Sequence, residues 1–209
     1  LPGLPGTRAL TAPLGAGWAP DDEAGPPPSP ALPFTVATLE PRLRAMYKAV
    51  TEGKFADGLA VADDLLHRIP LVAAADRREG DEVKELLTIA REYNVGLRCE
   101  LARKEAAAAG DAGKAAALAA YFTRAKLQPA HAALALRSAM VTHYKLGNLA
   151  TAAGFCRRLL EGGAPAKIGA QARQVLAACE RAEADAAPVD YDDRNPFDLC
   201  SITWTPIYR

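Results

Sequence analysis

Apolar side chains recur with the period of an α-helix through most of this 209-residue sequence, and glycine or proline interrupts the pattern at intervals. The spacing predicts seven helices: from Thr38 to Gly53, from Phe55 to Pro70, from Asp81 to Gly110, one capped by Asp111, from Pro129 to Gly147, and two over residues 148–162 and 165–184. No strand is expected before residue 190. The fold class is therefore mainly α.

Two of the predicted hairpins resemble each other. "GKFADGLAVADDLL" and "GNLATAAGFCRRLL" align Gly53 with Gly147 and Leu65-Leu66 with Leu159-Leu160. Glycine at the turn, small residues such as Ala60 and Ala152 at the helix contact, and a proline soon after each segment are typical of tetratricopeptide-like hairpins. Because the helices between them break a 34-residue period, we expect an irregular helical-hairpin solenoid.

The charge balance disfavours two classes of partner. Lys and Arg total 25, as do Asp and Glu, so no positive surplus attracts phosphate backbones or anionic membrane surfaces. No apolar run approaches the roughly 20 residues of a membrane span, and the first residues lack the pattern of a secretion signal. We therefore expect a soluble, cytoplasmic protein with no nucleic-acid partner and no direct membrane insertion.

The two ends of the chain differ from its middle. Nine of the sixteen prolines and five glycines lie in residues 1–33, which predicts an extended or disordered linker over residues 1–37. The last sixteen residues, "RNPFDLCSITWTPIYR", combine turn dipeptides with Ile202, Trp204 and Ile207. This composition predicts a strand-like segment over 187–209, with the helical domain at 38–186 between it and the linker.

Few residues suggest chemistry. No phosphate-binding loop, zinc motif or nucleophile elbow is found, and we expect no cofactor, no metal site and no catalysis. Asp63, Asp64 and His67 share one helix face, which suggests a weak ion pair or, as a minor alternative, a small hydrolase site. His131 is interpreted as a helix-start or packing residue.

Cysteines and aromatic side chains are assigned mainly to the core. The four cysteines are widely spaced and predicted to be free thiols, of which Cys156 and Cys179 behave as small buried hydrophobes. The aromatic residues on apolar stripes, which are also predicted to be core, are Tyr93, Tyr121, Phe122, Tyr144 and Phe155.

Four blocks of sequence identify a resemblance to a known family. "GKFADGL" followed by "IPLV", then "LTIAREYNVGL", "AAYFTRAKLQPAHAALALRSAM" and "NPFDLC...PIYR" resemble, in this order, the carboxy-terminal domain of the alpha subunit of coatomer, from the COPI vesicle coat. Relatives continue past the last block, so the resemblance implies that the final strand is truncated and lacks the partners that would complete a sheet. It gives Cys200 a structural role.

The resemblance also implies a function without catalysis. The domain is expected to bind the epsilon subunit of coatomer, with other subunits held by the rest of the alpha chain, in a cytoplasmic coat peripheral on Golgi membranes and COPI vesicles that serves Golgi-to-ER and intra-Golgi transport. Aromatic and aliphatic side chains outside the helical core are the candidate anchors for this partner: Phe197, Trp204, Ile207 and Tyr208.

Two alternatives stay open at this point. The four anchors could simply cover the end of the helical domain. The hairpins around Gly53 and Gly147 could instead form a groove for a short peptide or helix, as solenoids do.

Overall fold

A computed structural model describes residues 34–72, 74, 76–180, 184–192, 197–200 and 202–208, with the backbone alone at 197, 198 and 206–208. Within these residues the chain forms seven α-helices and two short strands. The helices are α1 Val36–Thr51, α2 Phe55–Arg68, α3 Arg77–Ala108, α4 Ala112–Phe122, α5 Pro129–Leu146, α6 Leu149–Glu161 and α7 Ala166–Cys179. The strands are β1 Phe197–Leu199 and β2 Pro206–Tyr208, and a short 3-10 turn spans Ile69–Leu71.

The predicted helical fold is confirmed, and the differences lie at helix ends. α1 begins at Val36 because Thr35 and Thr38 form a reciprocal capping box. α3 begins at Arg77 because the Asp76 side chain accepts the backbone N–H of Glu79. α7 ends at Cys179, five residues before its predicted end. Of the predicted linker, residues 1–33 lie outside the described part of the chain.

Glycines in the left-handed conformation connect three of the hairpins. Gly53, Gly110 and Gly147 have φ angles of 75°, 79° and 83°, a region that residues with a Cβ rarely adopt. Each follows the last turn of a helix and allows the next helix to begin within two residues. The turns predicted at Gly53 and Gly147 are confirmed.

Each helix packs against the next one in sequence, from α1 to α7, with weaker contacts between α1 and α3 and between α5 and α7. This pattern of nearest-neighbour contacts is that of a solenoid. The first core cluster joins α1, α2 and α3 around Met46, Leu65 and Leu97. A second joins α4 to α7 around Met140 and Cys156.

Two predictions about core positions were wrong. Ala60 is exposed, and the close approach of α2 is made by the buried Gly58, where an added Cβ would lie 3.2 Å from Val50 Cγ2. In the aligned hairpin the position of Gly58 is occupied by Ala152, which is fully buried as predicted. Tyr144 is 41% exposed because it lies on the outer side of α5, whereas the other four aromatic residues are buried.

No helix in the described part of the chain is both long enough and apolar enough to span a bilayer.

Candidate functional site

The strands β1 and β2 form an antiparallel hairpin, named here the terminal hairpin (residues 197–208). Phe197 pairs with Tyr208, and Leu199 pairs with Pro206. Three of the four predicted anchors, Phe197, Ile207 and Tyr208, therefore lie on paired strands, and Trp204 lies in the turn between them. The prediction that the last strand lacks a partner was wrong, because the partner strand begins only nine residues earlier in the sequence.

The turn of the terminal hairpin has one side packed on the helices and one side in solvent. Leu199 is buried and Trp204 is half-buried, and both pack against the first core cluster. The backbone N–H of Trp204 donates to the Cys200 carbonyl at 2.8 Å, and φ of Trp204 is 54°, an uncommon conformation for a bulky residue. Ile202, at the tip, is 71% exposed. Trp204 therefore packs the turn of the hairpin against the helices, whereas Ile202 projects into solvent.

In the same turn, hydrogen-bond donors surround the thiol of Cys200. Hydrogen bonds from the Thr203 side chain, and then from the backbone N–H groups of Thr203 and Ile202, lower the pKa of Cys200. By contrast, burial raises the pKa of Cys99 to about 12 and that of Cys156 to about 11. All four cysteines are free thiols.

An extended segment, residues 184–192, connects the end of the helices to the region of the terminal hairpin, and is named here the strap. The buried Asn148 holds it with two reciprocal bonds to the backbone of Ala187, each of 2.9 Å. Asp185 accepts the backbone N–H and the hydroxyl of Thr151, so it caps the start of α6. The strap therefore ties the chain back onto the turn between α5 and α6 and onto the first turn of α6.

Further along, the strap crosses α4. The Tyr191 ring lies 5.0 Å from the Tyr121 ring, and the Asp192 N–H donates to the Tyr121 hydroxyl at 3.0 Å. Val189 and Tyr191 pack against a small core cluster built on Tyr121 and Phe122. The chain thus returns from α6 and α7 towards α3, where the terminal hairpin packs.

A groove of about 710 Å³ lies in the described part of the structure. Its walls are the turn after α1, the second half of α3, the start of α4 and one face of α5. Gly53 and Gly110 lie on its lining and Leu146 precedes the third glycine turn, because alternate turns of a hairpin solenoid fall at the same end. No described residue of the terminal hairpin lines it.

Buried charge lies in the lining of this groove. Glu100 is 3% exposed and pairs in a bidentate manner with Arg103, with distances of 2.7 and 2.8 Å. The bidentate pair raises the pKa of Arg103 through the hydrogen bonds that Glu100 accepts. Arg137 and Lys145 line the opposite wall on α5.

The candidate hydrolase residues are engaged in structural contacts. Asp63 accepts from the buried Asn94 at 2.5 Å and from Arg98 at 3.2 Å, while Asp64 pairs with arginines of α1 and α2. The His67 ring contacts the backbone carbonyl of Asp63 rather than either carboxylate. The structure therefore brings the three residues to one helix face but directs the carboxylates to other helices, where they link α1, α2 and α3.

His131 is a buried packing residue at the start of α5, as predicted. Its ring bonds to the Tyr93 hydroxyl at 2.7 Å and to Thr51 at 2.9 Å. Burial lowers the pKa of His131. His143, also buried, bonds to the Ala116 carbonyl, and its pKa is lowered by burial, with the Ala116 bond and Asp185 acting in the opposite direction.

A groove beside the Gly53 and Gly147 hairpins is one of the alternatives that the sequence left open, and the structure has a groove lined by Gly53 and Leu146. The charged lining of this groove and the strap are not predicted from the sequence. Arg103, Arg137 and Lys145 look like ordinary charges on solvated helix faces, and only the packing of α1 and α3 beside α5 collects them. Ile202 carries a weak signal, since an aliphatic residue within a turn-rich segment is often exposed.

Comparisons with known proteins agree on one family. The family model that describes the C-terminus of the coatomer (COPI) alpha subunit matches residues 1–209. Coatomer subunit alpha-3 of Oryza sativa subsp. japonica is 47% identical over 193 residues, which is 92% of this chain and 16% of the relative. Coatomer subunit alpha-1 of Arabidopsis thaliana is 46% identical over 193 residues, with the same shares covered.

A more distant relative extends this result. Coatomer subunit alpha of Dictyostelium discoideum is 37% identical over 188 residues, which is 87% of this chain and 15% of that protein. The chain therefore spans about one sixth of the length of the curated relatives that it matches.

Proposed function

The chain belongs to the family formed by the C-terminus of the coatomer (COPI) alpha subunit, and from this premise we propose that it is a non-catalytic docking domain of the COPI coat. The observation that carries the proposal is the family match over all 209 residues. In this role the domain works in the cytoplasm, peripheral on Golgi membranes and COPI vesicles. It supports Golgi-to-ER and intra-Golgi transport, and the rest of the alpha chain holds the other coatomer subunits.

The proposed partner of this domain is the epsilon subunit of coatomer. The resemblance of the four sequence blocks to the alpha subunit supports this choice. We place the contact on the terminal hairpin, through Phe197, Trp204, Ile207 and Tyr208. Its exposed tip at Ile202 supports this placement, since exposed apolar side chains on a held element are suited to binding a folded partner.

The surrounding structure supports a docking role for a physical reason. Leu199 and Trp204 fix the terminal hairpin on the first core cluster, and the strap holds the preceding segment at Asn148 and Tyr121. A hairpin held in this way loses little conformational entropy when it binds. The helical domain, proposed at residues 38–186, then acts as the platform for the segment at 187–209.

The test mixes the purified chain with the epsilon subunit at micromolar concentration, followed by analytical size exclusion and calorimetry. We expect coelution, and we expect Ile202→Ala to weaken binding by about tenfold, equivalent to about 1.4 kcal/mol. Tyr144→Ala is the matched control, because it removes an exposed aromatic residue from α5 and not from the terminal hairpin. Separate elution of the two wild-type proteins would reject the proposal.

A further inference from the structure

We propose that the groove between the α1–α2 turn and α5 binds an acidic amphipathic helix from a partner protein. The site goes beyond the proposed function, because no described residue of the terminal hairpin lines it. The first argument is its length. Along α5 the lining runs from Leu134 to Leu146, which at 1.5 Å per residue is about 18 Å, or just over three helical turns. An elongated site of this size fits a short helix.

The second argument is the apolar character of both walls. On α5, Leu134 and Val141 lie seven residues apart on one face, and both are only partly buried. On the facing wall, beside the Gly53 turn, Phe55 is partly buried, and Val50 is fully buried in the first core cluster. A helix that places apolar side chains at positions i, i+3 or i+4, and i+7 between these walls would bury all of them.

The third argument is charge, which selects an acidic helix over a basic one. Three of the five charged residues in the lining are already paired within the chain, since Glu100 pairs with Arg103 and Glu52 pairs with Lys54. Arg137 and Lys145 form no ion pair with any residue that the structure describes, and Arg137 donates only to the neutral amide of Gln171. The unpaired charge of this groove is therefore positive.

The spacing of these two cations defines the partner more closely. Arg137 and Lys145 are eight residues apart on α5, or about 12 Å along its axis. Two carboxylates seven or eight residues apart on a docked helix would meet both cations at once. A basic helix would be repelled at both positions.

Selection from a peptide library tests this inference. The probe is a phage-displayed library of peptides about 16 residues long, four helical turns, with leucines fixed in an amphipathic stripe and the flanking positions randomised. We expect selection on the full chain to enrich Asp or Glu pairs seven or eight positions apart. The enriched peptides should bind a Val141→Asp variant at least about tenfold more weakly.

Charge reversal gives the sharper test. In the double variant Arg137→Glu, Lys145→Glu, the same selection should enrich Lys or Arg at those positions. The matched control, Arg157→Glu with Arg173→Glu, reverses two exposed arginines outside the groove and should still select acidic peptides. An unchanged melting curve establishes that each variant is folded.

Several outcomes would overturn the inference. They are the absence of enriched peptides, enrichment without acidic residues, and a preference unaffected by the double reversal. A dimer in sedimentation velocity that Val141→Asp dissolves would place a second copy of the chain in the groove instead. Binding of the epsilon subunit is measured in the same variants: we expect it to be unchanged, and its loss in the groove variants alone would rule out a separate site.

Discussion

Thr51, at the end of α1, and His131, at the start of α5, are 80 residues apart in sequence and share a hydrogen bond of 2.9 Å. The proton positions follow from the neighbours. The Thr51 hydroxyl donates to the Tyr47 carbonyl, which can only accept, so Thr51 accepts from the Nε2–H of His131. Nδ1 of the neutral ring then accepts from the Tyr93 hydroxyl, which in turn accepts the N–H of Gln128. Every member of this network is satisfied only when His131 is neutral.

We therefore predict that acid weakens the fold through His131. Burial lowers its pKa below the ordinary value of about 6.5, so the unfolded chain binds more protons than the folded protein as pH falls below that value. The stability is fully present above about pH 6.5 and is lost as pH falls through the lowered pKa of the folded state. Urea titrations between pH 8 and pH 5 measure the effect.

The variant His131→Phe separates this contribution from that of His143, whose pKa is lowered in the same direction. It should cost about 1–3 kcal/mol at pH 8, because the buried Tyr93 hydroxyl loses its acceptor. Its stability should also change less with pH than that of the parent. Equal pH slopes in the two proteins would show that His131 is not responsible.

Asp63 provides a second prediction, on the junction of α2 with α3. Asp63→Ala removes the acceptor of the fully buried Asn94 amide, so we expect a loss of about 1–3 kcal/mol in the free energy of unfolding. Glu40→Ala, the control, removes an exposed ion pair with Arg44 and should change stability by less than about 0.5 kcal/mol. Similar losses in the two variants would contradict the assignment.

Two glycines inside helices should respond to substitution by alanine with stability changes of opposite sign. A Cβ added at Gly96 of α3 would lie 3.0 Å from Ala125 Cβ and 3.3 Å from the Phe122 ring, whereas one added at Gly154 of α6 would meet nothing within 4 Å. Gly154→Ala should stabilise the protein by roughly 0.5–1 kcal/mol through helix propensity. Gly96→Ala should destabilise it by about 1–3 kcal/mol, because the clash exceeds that gain. Thermal melts of both variants decide the matter.

The helices were predictable because their signals are local. The stripe through Leu39, Met46 and Val50 and the turn at Gly53 are visible within one window of sequence. The strap was not predictable, because Asn148 and Ala187 are 39 residues apart and no local pattern in either segment indicates that they form a hydrogen bond. A groove at the Gly53 and Gly147 hairpins was one of the sequence alternatives, but its charged residues were not predictable, because the lining exists only once α1, α3, α4 and α5 have packed. Aromatic residues were assigned correctly wherever the inner face of a helix was clear, and Tyr144 was not such a case.

The strap gives a prediction about local opening. Asn148→Ala removes both bonds to the Ala187 backbone, and we expect amide exchange to rise across residues 184–192 and at the first turn of α6, which Asp185 caps. Hydrogen-exchange mass spectrometry measures this directly. The backbone N–H groups of α2 serve as the internal reference, because the strap bonds at Asn148, Thr151 and Tyr121 do not involve this helix. Unchanged protection of residues 184–192 would contradict the prediction, because it would show that the bonds to Asn148 are not needed to hold the strap.

Trp204 tests whether the terminal hairpin is a supported docking element. Because its ring packs on the first core cluster and its φ is 54°, Trp204→Ala should loosen the hairpin and lower the melting temperature as well as the affinity for the epsilon subunit. Ile202→Ala, at the exposed tip, should lower the affinity alone. The two substitutions therefore separate support from contact within one hairpin, with differential scanning fluorimetry and calorimetry as the paired measurements. If Trp204→Ala left both quantities unchanged while Ile202→Ala unfolded the protein, the assigned roles would be wrong.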